Sequence, residues 1–509
     1  MGKKLPAMVV RNKAVPHTFA NRNKILASSL LGIICLIIPV LMIFIDPIFI
    51  IAKYKLRFTK GSIIYEMMMK EMEAARLEFH VFNVTNAERF LSGKDPKLRV
   101  QEVGPFVYQE YRMNDDLELD LEAGVVRFIP RFRAEFVEEE SVGRPEETIV
   151  HTPYTSYFTT STFFSSYPLM IQSVYSMWIK QLRPTPITTM DVHKVLWGDK
   201  DKIVDFIRTV IPGLVYYETI GALDRLYDST ADYKIEMDIT NKKKFQVKSV
   251  MKKLRKKLVN TTELVDVKLE FNDTYEGAAF PAEMTPEMPV NIYRTGLCRT
   301  LGWEYVGRRR MELGPDAFLY HLTNKTFENT RLCDSKGLCP QGVFDLSSCF
   351  YGLPIALTKS HLLDVDPEFQ KRVEGLNPDR EKHDSYILIE PRIGLTVETS
   401  LSIQLNLLLG DLRYMSDLAK FSDMLLPQVS LKLTLPELPA ATKNSLTLLY
   451  VTGPQILLGL EIASALLSLA LLVYSLALLR RDWSRRRDPA RNFDDRLKGK
   501  ASAELPLIS

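Results

Sequence analysis

The sequence offers chemistry first at its cysteines, four of which lie close together in the second half of the chain. These are Cys298, Cys333, Cys339 and Cys349, whereas Cys35 lies alone in an apolar segment. An even number of cysteines in an oxidising compartment is typical of disulfide bonds, and these four allow three different pairings into two bonds. Because neither a C-x-x-C spacing nor a nearby histidine pair accompanies them, we expect no zinc site.

Four N-x-S/T sequons are a second chemical signal, since such sites accept N-linked glycans only outside the cytosol. All four lie in the middle of the chain, at Asn83, Asn260, Asn272 and Asn324. We therefore expect this part of the chain to be extracellular or lumenal.

Positive charge is concentrated between residues 241 and 259. These residues contain no acid, and the next acidic residue in the chain is Glu263. We call residues 241–259 the basic run. It could attract anionic ligands such as phospholipid head groups or anionic lipoproteins, or it could be the solvated face of a helix or strand. Its cations are Lys242, Lys243, Lys244, Lys248, Lys252, Lys253, Arg255, Lys256 and Lys257.

Aromatic side chains are concentrated between residues 154 and 178. They form either the packed interior of a helical region or an exposed apolar patch, and a patch of that kind marks a binding surface. The members are Tyr154, Tyr157, Phe158, Phe163, Phe164, Tyr167, Tyr175 and Trp178.

Catalytic signatures are lacking in the sequence, which has no G-x-S-x-G elbow, no H-E-x-x-H and no glycine-rich phosphate loop. We therefore predict that the protein is not an enzyme and requires no cofactor or metal.

Two long apolar segments, at residues 25–45 and 456–479, lie on either side of the sequons, the aromatic residues and the basic run. As helices that rise about 1.5 Å per residue, both can cross the roughly 30 Å hydrocarbon core of a bilayer. We therefore predict an integral membrane protein, of the plasma membrane or alternatively of the endosomal or lysosomal membrane.

Charge predicts the orientation of the chain in the membrane. Residues 1–24 carry six basic residues and no acid, and residues 480–509 carry nine basic and five acidic residues. Because basic flanks stay on the cytosolic side, we expect both tails in the cytosol and residues 46–455 outside it. A nucleic-acid partner is not expected for a domain on that side.

Residue patterns between the two apolar segments favour β-structure. A helix is predicted at residues 61–79, but alternation of apolar and polar residues at 265–271, 393–407 and 431–435 predicts half-buried strands. Strands of this kind form a large, mainly antiparallel sheet or barrel.

Residues 154–212 interrupt that β pattern and are predicted to form a helical lobe. One helix is expected at 166–182, before a proline-rich turn at 183–186. A second is expected to begin after Asp191, a good N-cap residue, and to continue to about Val210.

Several short motifs, spaced along most of the chain, resemble those of the class B scavenger receptors. They are Val103-Gly-Pro-Phe-Val-Tyr108, Leu196-Trp-Gly198, Cys298-Arg299, Gly342-Val-Phe-Asp-Leu-Ser-Ser-Cys349, Gly352-Leu-Pro354, Glu374-Gly-Leu-Asn-Pro378, His383, and Ile389-Glu-Pro391 with Gly394.

The resemblance implies an α+β membrane protein with a large antiparallel, β-barrel-like ectodomain and one transmembrane helix at each end. It also implies an apical helical bundle that binds ligands, above a hydrophobic tunnel that carries lipid towards the bilayer. The implied disulfides are Cys298–Cys349 and Cys333–Cys339. The ligand-binding residues expected in the lobe are Phe163, Phe164, Tyr175, Trp178 and Lys180.

Two functions follow from this reading. The first is a receptor that binds fatty acids, sterols, phospholipids or other hydrophobic ligands, or lipoprotein particles, and passes lipid to the membrane. The alternative is a sorting or adhesion receptor for a protein cargo that is routed to endosomes or lysosomes. Glu504, Leu507 and Ile508 resemble an acidic dileucine sorting signal for such routing.

Overall fold

A computed structural model describes residues 22–211, 218–223, 227, 233–240, 243–257, 262–328, 341–347 and 353–487, with the backbone alone for 253–257, 262–265 and 485–487. This part of the chain divides into two units. One contains both ends of the chain, up to Ala52 and from Asn444 onwards, and the other is Lys53–Lys443.

The described helices, in chain order, are α1 Arg22–Ile45, α2 Pro47–Lys55, α3 Ile63–Met68, α4 Ala87–Ser92, α5 Thr155–Ser165, α6 Leu169–Gln181, α7 Val192–Trp197, α8 Lys202–Val210, α9 Pro367–Gln370, α10 Arg380–His383, α11 Ala440–Thr447 and α12 Gly453–Arg487.

The described strands, in chain order, are β1 Met72–Val84, β2 Leu98–Asp120, β3 Val125–Phe136, β4 Ile149–Pro153, β5 Ile187–Asp191, β6 Tyr233–Asp238, β7 Val247–Lys257, β8 Thr262–Glu270, β9 Thr274–Tyr275, β10 Val290–Arg294, β11 Arg299–Arg309, β12 Ala317–Leu322, β13 Phe344–Asp345, β14 Ile355–Lys359, β15 Val373–Glu374, β16 Tyr386–Glu390, β17 Leu395–Leu408 and β18 Leu425–Thr434.

The first unit is built on α1 and α12, which are both long and apolar enough to cross a membrane. Small residues let the two helices approach closely, because a Cβ added at Gly32 would lie 3.1 Å from Leu472. The hydroxyls of Ser29 and Ser475 are 2.5 Å apart, and Ser468 donates to the Gly32 carbonyl at 2.7 Å. Close backbone contact and hydrogen bonds of this kind hold helices together in a medium without water.

The second unit is dominated by one large, mainly antiparallel sheet, as the sequence predicted. Its strand order is β8-β7-β6-β3-β2-β1-β18-β17-β16-β12-β11-β10-β9, with β14 on β17, β13 on β14 and β15 on β2. A lone antiparallel bridge between Gln246 and Tyr275 connects the chain just before β7 to β9. The sheet thus curls until its two edge regions meet, but no continuous ladder closes a barrel among the described strands.

The core of this unit follows the period-2 pattern of the central strands. Along β1, Leu77, Phe79 and Val81 are almost fully buried. These positions overturn the helix predicted at 61–79, because helix α3 ends at Met68 and the strand begins at Met72. Pairing of β1 with both β2 and β18 outweighs the helical propensity of a segment rich in methionine, glutamate and alanine.

Strand β17 agrees with the predicted strand at 393–407 in position, but the prediction that it is half-buried is wrong. Gln404 and Asn406 lie on its polar face and are fully buried. Strand β14 pairs with this end of β17 in the same sheet, and the amide of Asn406 donates to the Thr358 hydroxyl at 3.0 Å. Gln404 accepts the backbone N–H of His361 at 2.8 Å. These polar residues of the pattern therefore bond to the neighbouring strand and the turn after it rather than to solvent.

The loop after β14 and the loop before β16 bring two histidines into contact. The rings of His361 and His383 stack with centroids 4.2 Å apart. Nδ1 of His361 accepts the Asn377 N–H, and Nδ1 of His383 accepts the Asp379 N–H. A proton added at either Nδ1 would therefore displace a backbone hydrogen bond.

The carboxylate of Glu102 on β2 lies beside these histidines. Nε2 of His361 lies 3.3 Å from Glu102, and Nδ1 of His80 on β1 lies 3.9 Å from the same carboxylate. Burial lowers the pKa of His80, and burial together with the neighbouring His361 lowers the pKa of His383. Burial acts to raise the pKa of Glu102, but its hydrogen bond with His361 and the nearby imidazoles lower it overall.

We expect acid to destabilise the second unit through these histidines. A histidine whose pKa is lowered by folding takes up protons more readily when unfolded, so its contribution is present above about pH 6.5 and is lost as the pH falls below it. The unfolding midpoint of the full chain in detergent should therefore fall between pH 7.5 and pH 5.

A His383→Asn variant provides the matched control, since the asparagine oxygen can still accept the Asp379 N–H but does not titrate. The variant should show a smaller loss of stability over the same pH range. An identical loss in the variant and the parent would mean that other groups cause the acid sensitivity.

Candidate ligand-binding lobe

Helices α5 to α8 lie within the predicted lobe region and share a hydrophobic core with the sheet, and β4 and β5 pair beside them; we keep the name lobe for these elements. The antiparallel pairing of Ile149 with Asp191 and of Pro153 with Ile187 brings together the start of α5 and the turn after α6. Asp191 also caps α7 by accepting the Lys194 N–H at 2.9 Å, which confirms its predicted role. Hydrogen bonds between β4 and β5 therefore hold the start of α5 close to the turn after α6.

The helices of the lobe differ from the two that were predicted. Helix α6 matches the helix predicted at 166–182, whereas α5, which precedes it before Pro168, was not predicted. Helix α7 ends at Trp197 because Gly198 adopts a positive φ of 79°. Asp201 then caps α8 and accepts the Ser156 hydroxyl at 2.5 Å, so one carboxylate begins α8 and holds α5 against it.

Helix α6 has one buried face and one exposed face that is also apolar. Gln172, Tyr175 and Ile179 are buried, as their three- and four-residue spacing requires. On the opposite side, Met170 is 74% exposed and Met177 is 59% exposed. An exposed apolar helix face of this kind is a surface that a ligand or partner can cover.

A cavity of about 180 Å³ opens where α5 and α6 meet the loop after β17. Tyr157 and Tyr175 form part of its wall, and Lys180 lies on the α6 side. Tyr414 and Asp417 approach from the loop. The cavity therefore combines aromatic walls with a cation and an anion contributed by different segments.

Burial controls the ionisation of the cavity walls. It raises the pKa of Tyr175 to about 12, although the hydroxyls of Ser161 and Thr160 lie 2.9 and 2.7 Å from the Tyr175 oxygen. Burial also raises the pKa of Tyr157, and the nearby Asp417 carboxylate raises it further. Both phenols are therefore neutral hydrogen-bonding groups, whereas Lys180 is exposed and makes no ion pair within the described residues.

The predicted aromatic residues divide into buried and partly exposed groups. Phe164 is 7% exposed and stacks on Tyr175 at 4.4 Å. Phe163 is partly buried against the core, and Trp178 is half-buried with its ring edge towards Phe206 at 6.5 Å. Only Tyr175 and Lys180 of the five predicted ligand-binding residues line the cavity.

The basic run lies away from these helices in sequence and forms the turn before β7 and the strand itself. Lys243 is exposed, whereas Lys244 and Lys252 are partly buried. Burial lowers the pKa of Lys244 to about 8. The side chains of Lys253, Arg255, Lys256 and Lys257 lie outside the described part of the structure, as does all of Lys242.

The remaining predicted sites are only partly covered. Asn272 and Asn324 are exposed, and the Asn83 side chain accepts the His151 N–H at 2.8 Å. Cys298 is disulfide-bonded, and its partner lies outside the described residues. That undescribed part also includes Asn260, Cys333, Cys339, Cys349, Glu504, Leu507 and Ile508.

Sequence reasoning missed two parts of the lobe surface. The spacing of Leu169, Ser173 and Met177 on the side of α6 opposite Tyr175 could have indicated the exposed apolar face. No sequence signal connects Tyr414 and Asp417 to α6, because more than two hundred residues separate them from it.

A mixed α+β domain between two membrane-spanning helices defines a membrane protein that is anchored at both of its ends. The chain belongs to the CD36 family, whose model matches residues 29–479. This match confirms the resemblance to class B scavenger receptors that the motifs predicted, and the chain is an integral membrane protein.

The similar proteins include a scavenger receptor and a lysosome membrane protein. The chain is 23% identical to scavenger receptor class B member 1 of Rattus norvegicus over 410 residues, which cover 79% of each chain. It is 24% identical to lysosome membrane protein 2 of Rattus norvegicus over 356 residues, which cover 68% of this chain and 71% of the relative. The human lysosome membrane protein 2 is 23% identical over 363 residues.

Proposed function

We propose that this protein is a scavenger-type lipid receptor that binds lipids or lipid particles at its helical lobe and passes lipid through the ectodomain to the membrane. The observation that carries the proposal is the exposed apolar face of α6, formed by Leu169, Met170 and Met177, beside the cavity of about 180 Å³. A water-soluble ligand would not require this arrangement.

The chemistry of the lobe fits an amphipathic ligand. Acyl chains or the surface of a lipid particle would cover Met170 and Met177, and each methylene removed from water contributes roughly 0.8 kcal/mol. Lys180 lies at the adjoining cavity and would meet a carboxylate or phosphate head group. Fatty acids and phospholipids combine both features, so they are the ligand classes that we propose.

An apolar passage below the lobe would account for delivery. A cavity of about 180 Å³ is smaller than the roughly 300–1,000 Å³ of typical ligand pockets, so passage of a whole lipid would need the domain to open. The interior contains buried Tyr293, Trp303 and Tyr320, whose polar hydrogens lack a partner within the described structure. Buried unpaired donors support an interior that receives polar atoms from a passing molecule or from water.

The topology and the remaining sites are part of the same proposal. We place both tails in the cytosol and residues 46–455 outside it, with glycans on the sequons. We also retain the disulfides Cys298–Cys349 and Cys333–Cys339 as predictions, because Cys298 is disulfide-bonded and only three cysteines are left as partners besides Cys35, which is free.

Charge on the exposed face of α6 should abolish most of the lipid uptake. Met170→Asp and Met177→Asp together place two carboxylates where an acyl chain would lie, but both side chains are exposed, so folding should be little affected. Cells that express this variant should take up fluorescent fatty acid or labelled lipoprotein several-fold more slowly per molecule at the surface.

A Val142→Asp variant is the matched control, since Val142 is 58% exposed but lies outside the lobe. It should retain the parent rate of uptake. The proposal is wrong if the double α6 variant reaches the surface in normal amounts and also takes up lipid at the parent rate.

The similarity to lysosome membrane proteins favours a second candidate function, a sorting receptor for a protein cargo. Its lobe would then bind a protein, and Glu504, Leu507 and Ile508 would direct the complex to endosomes or lysosomes. Under this alternative the α6 variant would lose its protein cargo, whereas the rate of lipid uptake would not depend on the lobe.

A further inference from the structure

Residues 54–70 lead from the membrane-proximal helix α2 to the first strand, and one side of this segment is fixed to the sheet domain. Phe58 is 4% exposed within a small core that includes Phe128 of β3. Ile64 and Met68 on the inner face of α3 pack against the same core. The segment is therefore held in one position.

The opposite side of the same segment is apolar and exposed. Tyr54 is 66% exposed, Ile63 is 53% exposed, and Met67 and Met69 are 44% and 51% exposed. Four large apolar side chains within sixteen consecutive residues form a patch that nothing in the described structure covers. Patches of this kind mark an interaction surface.

Positive charge surrounds this apolar patch. The ammonium group of Lys244 donates to the carbonyl of Leu56, which brings the exposed Lys243 of the basic run beside the segment. Five exposed cations make no ion pair with any described carboxylate, and within residues 54–70 only Glu66 is an exposed acid. The cations are Lys55, Arg57, Lys60, Lys70 and Lys243.

We propose that residues 54–70 and Lys243 form a membrane-surface contact whose ligand is the anionic head-group layer of the bilayer that the chain spans. Tyrosine, methionine and isoleucine beside lysines and arginine are the composition of segments that lie in the interface between lipid and water. The apolar side chains would enter the head-group region, and the lysines would extend their charged ends to phosphate oxygens.

The length of the covalent connection favours this ligand over a separate protein. Helix α1 ends at Ile45, Asp46 adopts a positive φ of 30°, and α2 then extends from Pro47 to Lys55. Tyr54 is thus nine residues beyond α1, so the chain between them can span roughly 30 Å at most. The covalent connection thus limits how far the patch can lie from the bilayer, whereas a protein partner would have to be recruited to it. The contact would also assign a ligand to the start of the basic run.

Fluorescence quenching in single-copy nanodiscs tests this contact with the full chain. A fluorophore is attached at Met67→Cys in a Cys35→Ser background, and the bilayer is phosphatidylcholine with phosphatidylserine and lipids that carry a quencher at the head group. Met69→Cys provides a second position. Quenching at both positions should exceed that of the same fluorophore at Val142→Cys several-fold.

Val142 is a suitable reference because its N–H bonds to Pro105 of β2, whereas the carbonyl of Met68 accepts from Asn114 of the same strand. Nine residues at about 3.3 Å each separate these two points by roughly 30 Å. Because each nanodisc contains one copy of the chain, a second copy cannot cover the fluorophore and change its quenching.

The charge dependence identifies the head groups as the ligand. Quenching at Met67→Cys should decrease without phosphatidylserine, in a Lys55→Gln, Lys60→Gln, Lys70→Gln variant, and in about 1 M salt, where the Debye length is about 3 Å. Quenching at residues 67 and 69 no stronger than at residue 142 would overturn the membrane contact. Quenching that does not respond to lipid charge, protein charge or salt would overturn the anionic ligand.

Discussion

Replacement of Gly375 by alanine should prevent most of the chain from reaching its folded state. Gly375 follows β15, has a φ of 104°, and lies directly against the backbone carbonyl of Val100 in β2. A Cβ at this position would overlap that oxygen, which belongs to a strand and cannot move aside. The strained φ adds to the clash, so we expect a loss of about 4 kcal/mol or more in the free energy of unfolding.

The effect should extend beyond the turn itself. Val373 and Glu374 pair with Leu98 and Arg99 of β2, and two residues after Gly375 the Asn377 N–H bonds to His361. A shift of this turn therefore disturbs the edge of the sheet and the imidazole cluster together. Cells should retain the Gly375→Ala variant inside, with little protein at the surface and immature glycans.

A Gly307→Ala variant serves as the matched control. Gly307 also lies in the sheet domain, but its φ is not positive and a Cβ there would meet no atom within 4 Å. It should fold and reach the surface at nearly the parent level. A parent-like amount of Gly375→Ala at the surface, with a parent-like unfolding midpoint, would contradict the structural role of this glycine.

The second large effect is expected at Lys359, a cation that is almost completely buried. Its ammonium group lies 2.9 Å from Asp364 and 3.2 Å from Asp384, and its side chain is 3% exposed. Burial acts to raise the pKa of both carboxyls, but hydrogen bonds lower each of them overall, from Lys359 and Arg380 at Asp364 and from His321 and Lys359 at Asp384. Lys359→Met would remove the buried cation between Asp364 and Asp384, which would keep the exposed Arg380 and, at Asp384, the contact with His321.

We expect this variant to lose about 3 kcal/mol of unfolding free energy, because removal of one partner of a buried ion pair costs more than the lost attraction alone, although Arg380 still contacts both carboxylates. Chemical unfolding of the full chain in detergent at pH 7.5 measures the change. A Lys359→Met, Asp384→Asn double variant should recover part of the loss, since it removes one of the two carboxylates that have lost their buried cation.

Lys371→Met is the corresponding surface control. Lys371 bonds to Glu368 at 2.5 Å, but both side chains are mostly exposed, so its removal should cost less than about 1 kcal/mol. Equal losses for Lys359→Met and Lys371→Met would show that the buried ion pairs contribute no more than an exposed pair does.

The structure gives a physical reason for several residues of the family motifs. Gly375 belongs to the motif at 374–378 and Gly394 to the motif at 389–394, and at both a Cβ would collide with a neighbouring backbone carbonyl. His383, in a motif of its own, stacks on His361. The family motifs thus include positions where close backbone contacts or ring stacking allow few other residue types.

The sequence by itself determined the elements whose signal is local. Two apolar runs predicted helices that the structure has as α1 and α12, Asp191 predicted a cap, and alternation predicted the strand at 393–407. Each of these depends on a hydropathy period or on a cap a few residues long. Motif spacing similarly identified the family before any contact between distant residues was known.

Only the tertiary structure decided what these elements bury and which of them meet. Met72–Val84 became a strand because β2 and β18 pair with it, and the buried Gln404 and Asn406 find hydrogen-bond partners on β14 and the turn after it. The lobe cavity joins α6 to Tyr414 and Asp417 across more than two hundred residues. Contacts over such separations leave no periodic signal in the chain, because the energy that selects them comes from packing and hydrogen bonds that exist only after folding.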